Sequence, residues 1–146
     1  MEYFTKEEFE KSETAERLKI DNSIPDNLMP GLEEFVEQIL DPLRSAWGTP
    51  IKVNSGYRGP KLNKAVHGSA TSSHCTAQAV DLWPVDRDFE RFKEFARDFL
   101  YSRDFDQCIV EYSGVKKWLH IGFKNREGKQ RKQFLIYKNS TYSVWE

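Results

Sequence analysis

The chain is short of net charge, of cysteine and of long apolar runs. Its 22 basic residues stand against 23 acidic ones, for a formal charge of -1. Without a strong positive field, nucleic acid is excluded as the main partner. No stretch approaches the roughly 18 apolar residues that cross a bilayer, so no membrane segment is expected. Met1-Glu2-Tyr3-Phe4-Thr5-Lys6 lacks the charged and apolar regions of an export signal. The expectation is a soluble chain, made in the cytoplasm, with no address of its own. Cys75 and Cys108 are the only cysteines, and two thiols in such a chain are expected to stay reduced. Repeats, low-complexity tracts and linkers are also missing. The 146 residues are therefore expected to form one domain, 1–146, long enough to bury a proper core.

Aromatic residues are what the chain has in abundance: four Trp, six Tyr and ten Phe. Thr5-Lys6-Glu7-Glu8 reads as a capping box opening a short helix, and a second helix covers Thr14 to Leu18. Leu28, Leu32, Phe35, Val36, Ile39, Leu40, Leu43 and Trp47 recur at three- and four-residue steps, one apolar helical stripe stopped by Gly48. Pro42 lies inside that stripe and predicts a kink, or two abutting helices, near Asp41.

Ile51-Lys52-Val53 alternates as a short strand, and Pro60 suits the first turn of a helix through Val66. Ala79 to Trp83 reads as a strand ended by Pro84. Asp86 or Asp88 caps a helix whose core face is Phe89, Phe92, Phe95, Ala96 and Phe99. Residues 108–112 and 118–123 flank a turn with Ser113-Gly114 and read as an antiparallel hairpin. Glu127-Gly128 marks another turn, before a strand from Gln133 to Tyr137. Helices first and strands later predict an α+β fold: a small antiparallel sheet with N-terminal and flanking helices.

Only three histidines are present, and two fall in short patterns that can carry chemistry. His74 and Asp81 are too far apart for one helical turn, but they meet if a loop carries His74 into the strand of Asp81. His120 on a neighbouring strand completes a set of three. Alternation puts His120 on one face with Trp118 and Gly122, and Leu119 and Ile121 on the other. Two imidazoles and a carboxylate are the set zinc uses when a fourth position stays open for water. By spacing alone, ordinary polar residues are the commoner reading, because His-x6-Asp is not selective.

Ser72, His74, Ala79 and Asp81 match the signature S-x-H-x-x-G-x-A-x-D, with Ala77 in place of the glycine, and Trp118 and His120 match a later W-x-H. Together they resemble the zinc D-alanyl-D-alanine carboxypeptidase and L-alanyl-D-glutamate endopeptidase superfamily, whose fold is shared with the hedgehog signalling domain. Phe4 to Glu8, Ile20-Asp21-Asn22, Ser55-Gly56-Tyr57-Arg58 and Phe105-Asp106-Gln107 are similar to its compact bacterial and phage branch. The resemblance implies one Zn2+ held by His74, Asp81 and His120, and a peptidoglycan stem peptide as substrate. It also implies a monomer acting at the cell wall, through phage-type release or wall recycling.

A zinc hydrolase needs a base that moves a proton from water to the leaving amine. Many members of the superfamily carry it as E-x-x-H before the last ligand, where this chain has Lys117. Glu111, on the preceding hairpin strand, is the expected base, with Asp106 the weaker alternative. Arg58 is the expected substrate anchor, since guanidinium binds a carboxylate through two parallel hydrogen bonds, and Ser72 assists substrate binding. His67 and Cys75 are expected outside the chemistry, Gln107 as a strut of the hairpin. Lys124, Arg126, Lys129, Arg131 and Lys132 are expected as a solvated turn. Two alternatives stand beside the peptidase: a binding module that keeps zinc but not catalysis, and a structural zinc site with Cys75 or His67 as fourth ligand.

Overall fold

A computed structural model describes all residues from 1 to 146. Helix α1 (Lys6–Glu10) begins with the expected capping box: Glu8 N donates to Thr5 Oγ1, and Thr5 N donates to Glu8 Oε2 at 2.8 Å. Ser12 caps α2 (Glu13–Leu18) by accepting from Ala15 N at 3.1 Å.

The long apolar stripe folds as α3 (Met29–Phe35), a π turn (Val36–Leu40) and α4 (Asp41–Trp47), with Asp41 N bonding Val36 O. The irregularity expected at Asp41 is thus a wide turn just before it. The Gln38 carbonyl, four residues before Pro42, accepts instead from Arg103 Nη1 at 3.3 Å. Gly48 ends α4 in the left-handed region at φ 89°. Helix α5 (Pro60–Ala65) has Pro60 in its first turn, and Asp88 caps α6 (Phe89–Leu100) by accepting from Arg91 N.

Six strands make one sheet: β1 (Ile51–Ser55), β2 (Ala79–Pro84), β3 (Gln107–Ser113), β4 (Lys116–Gly122), β5 (Gln133–Lys138) and β6 (Thr141–Val144), in the order β1-β2-β4-β3-β5-β6. The fold is α+β as expected, but the sheet is larger than expected and not wholly antiparallel, because β5 runs parallel to β3. The strand β6 was not expected; its four residues are all exposed and show no alternation to read.

Alternation along the central strands divides the sheet into two faces. Val80 and Leu82 of β2, Cys108 and Val110 of β3, and Leu119 and Ile121 of β4 join Phe35, Leu40, Leu43, Phe92 and Ala96 in the core. Asp81, Trp83, Glu111, Trp118 and His120 point the other way and stay half-buried. The core thus fixes where the polar face lies.

Candidate metal centre

His74 stands on one 3-10 turn, Ser73–Thr76, that delivers the chain into β2. Ser72 caps it by accepting from His74 N at 3.2 Å. Ala77 ends it in the left-handed region, at φ 59° and ψ 31°. The His74 ring is buried, and its Nδ1 lies 2.7 Å from the Gly56 carbonyl. A carbonyl only accepts, so Nδ1 carries a proton, and Nε2 is the nitrogen left to face Asp81 and to give its lone pair to a metal when one binds.

The Gly56 carbonyl can be there only because the residue is glycine. A Cβ at that position would lie 2.7 Å from Phe9 O and 2.8 Å from Phe9 Cα. Sequence reading took Gly56 only as part of a matching loop; its packing against α1 is a contact between segments far apart in the chain.

Asp81 and His120 are directly opposite across the β2–β4 ladder. His120 Nδ1 is 3.0 Å from Asp81 Oδ1, and His74 Nε2 is 3.5 Å from Asp81 Oδ2. Donor atoms of His74, Asp81 and His120 all lie within 4.8 Å of one another. Two ligands at 2.0–2.1 Å from a tetrahedral zinc are about 3.3 Å apart, so the two measured separations bracket what that ion requires. The donor set is one that zinc uses, and the spacing of Asp81 to each imidazole suits it.

Burial pushes the Asp81 carboxyl upward, but the His74 charge and hydrogen bonds from His120 and His74 hold it well below the usual carboxylate range. Burial depresses His120, and its bond to Asp81 outweighs that and raises it. Glu111 lies 3.5 Å from His120 Nδ1 through Oε2. Burial raises its carboxyl, with a further rise from Asp81 and a partial offset from His120. Glu111 therefore sits where the hairpin register puts it, opposite Trp118.

A cleft of about 720 Å3 opens from Asp81 along β1, β2 and the β3–β4 turn, and Arg58, Tyr57, Trp83 and Trp118 line it. The Arg58 backbone N donates to His74 O at 3.1 Å, and Nη2 donates to Ser72 Oγ at 3.0 Å. Arg58 Nε is buried without a partner, an unfilled donor beside the ligands. Ser72 is engaged by both Arg58 and His74 N, so it braces the site and does not line the cleft.

The sequence matches the peptidase M15 family model over residues 2–122, a span that includes His74, Asp81, Glu111 and His120. The chain belongs to the peptidase M15 family. No curated protein matches it. As an M15 peptidase it falls in a zinc-dependent group of metallopeptidases that act broadly on peptidoglycan-type substrates. Its His-Asp-His arrangement can hold a metal.

Several other residues of this M15 chain are occupied elsewhere. Asp106, the weaker base candidate, is buried and bonded to Arg131 Nε at 2.7 Å and Nη2 at 2.8 Å, so it anchors a loop and does not face the ligands. His67 is exposed, and neither it nor Cys75 joins the cluster, so neither is placed as the fourth ligand of a structural site. Both cysteines are free thiols. Gln107 pairs with Gly122 at the open end of the β3–β4 hairpin, and its side chain donates to Gln133 Oε1 at 2.9 Å, which also ties β3 to β5. The stretch expected to be solvated is partly engaged: Lys124 pairs with Glu34, and Arg126 donates to Ala70 O at 2.7 Å.

Proposed function

We propose that the chain hydrolyses peptidoglycan stem peptides, as a D-Ala-D-Ala carboxypeptidase or an L-Ala-D-Glu type endopeptidase. In this reading His74 Nε2, Asp81 and His120 Nδ1 hold one Zn2+. The observation that carries it is the convergence of these three donors, with Glu111 Oε2 3.5 Å from a ligand atom and an open cleft beside them. A zinc ion held by these residues would supply Lewis-acid chemistry, polarising the scissile carbonyl and lowering the pKa of water.

The chain's own groups do the rest. Glu111 takes a proton from the attacking water and returns it to the leaving amine. Arg58, steadied by Ser72, presents guanidinium N–H groups to a substrate carboxylate. Lys117, at the position where many members of the superfamily carry the glutamate, pairs with Glu90 at 3.2 Å, and in this reading Glu111 is the proton-transfer group. The lysine at 117 is what supports a zinc-containing binding module, and Glu111 beside His120 is what supports an enzyme.

Incubating the zinc-loaded protein with intact and trimmed muropeptides, and weighing the products by mass spectrometry, tests the reaction and separates the two bond types. Glu111→Gln is expected to retain zinc and to lose about 10^2- to 10^4-fold in turnover. Glu111 works as the carboxylate, so wild-type kcat/KM is expected to fall on the acid side as that carboxylate takes up a proton. Full activity in Glu111→Gln excludes the assigned role.

A further inference from the structure

The cleft beside the ligands is lopsided in charge. Lys11, Lys52, Arg58, Lys116 and Lys117 line it, against Glu13 and Asp81. Asp81 is engaged by two imidazoles, and Lys117 by Glu90. Lys11, Lys52 and Lys116 make no ion pair within the chain, so the empty cleft has four cations facing one free carboxylate.

Two of those lysines frame its aromatic floor. Lys52 is the direct cross-strand partner of Trp83, and Lys116 shares a face with Trp118 and His120 by alternation along β4. The β2–β4 ladder pairs Asp81 with His120 and ends at Leu82 and Leu119, and the next residues outward, Trp83 and Trp118, both line the cleft. Lys52, Trp83, Trp118 and Lys116 thus lie beyond the metal ligands along the strands. Trp83 is two residues from Asp81, or about 7 Å in a strand, which is also the length of two extended substrate residues.

We propose that Lys52 and Lys116, across the Trp83–Trp118 floor, form a second carboxylate subsite for a substrate bearing an acidic group about two residues from the scissile bond. It rests on the peptidase reading and adds a specificity determinant to it. Arg58 takes a carboxylate beside the reacting carbonyl, while the lysine pair takes one farther along the cleft. Ammonium groups on flexible stems suit this task, since they follow a carboxylate without demanding one geometry. Both lysines are exposed, so each contributes only a few-fold and the contribution is screened by salt.

The test is a double-mutant cycle between protein and substrate. Two peptide substrates differ only in whether the carboxyl two residues from the cleaved bond is free or amidated, and KM is measured for both with wild type and with Lys52→Gln/Lys116→Gln. Wild type is expected to favour the free acid about fivefold in KM at low salt. The double variant is expected to bring that ratio to about one, with zinc content and thermal midpoint unchanged. Sodium chloride at 0.5 M is expected to erode the wild-type ratio. A preference equal in both proteins, or none in wild type, overturns the subsite. Should wild type cleave neither peptide, the peptidase reading fails, and calorimetric Kd values for the same four combinations decide the subsite by the same ratio.

Discussion

Two small residues beside the ligands show opposite uses of the missing side chain. Gly56 has no room for a Cβ against the Phe9 backbone, and its carbonyl holds His74 Nδ1. Gly56→Ala is expected to cost more than about 2 kcal/mol and to weaken zinc retention, as read by denaturant unfolding and a chelator competition. Ala77 has the reverse situation: it keeps the left-handed turn of the glycine it replaces and is buried. A left-handed alanine costs about 1–2 kcal/mol. Ala77→Gly therefore relieves strain while losing a methyl, and unfolding is expected within about 1 kcal/mol of wild type. Ala96→Gly, at an equally buried helical position, is expected to cost more than about 1 kcal/mol. The cluster of His74, Asp81 and His120 was legible in the residues because few side chains bind zinc, and two of three histidines stood in motifs. Gly56 was not, since its role comes from volume excluded by a segment far away in sequence.

At the scale of elements, strands and caps followed from alternation and from single residues such as Thr5, Asp88 and Gly48, whose reasons are local. The parallel β3–β5 pairing and the π turn were not legible. The first depends on where the chain returns after the Asp106–Arg131 anchor, and the second on which turn absorbs Pro42. The β2–β4 ladder carries its own consequence for pH. In the metal-free protein His120 has its pKa raised by Asp81. Its protonated form then contributes stability that is fully present below the unfolded value of about 6.5 and is lost as pH rises through the folded value. Chelator-treated protein is expected to melt at a lower temperature at pH 8 than at pH 6, and His120→Gln is expected to remove that difference. The zinc-loaded protein is expected not to share it, because the ligand nitrogen no longer titrates there.

For the whole molecule, the family match ends at residue 122, yet the fold does not. The β5 strand covers β3 from Gln107 to Glu111. Trp145 is buried against Phe134, and Arg97 stacks over both rings while donating to Glu146 O at 2.6 Å. A chain cut after Gly122 is expected to lose cooperative thermal unfolding, because the β3 edge that carries Glu111 loses its neighbour. Cooperative melting of that fragment would show β5 and β6 to be dispensable. The fold brings one loop histidine and two strand residues together, with a cleft and a carboxylate beside them. X-ray absorption at the zinc edge of the loaded protein measures that convergence directly. The predicted shell is two imidazole nitrogens at 2.0–2.1 Å with oxygen making up the rest. A sulfur neighbour near 2.3 Å, or a shell that persists in His74→Ala and His120→Ala, would contradict it.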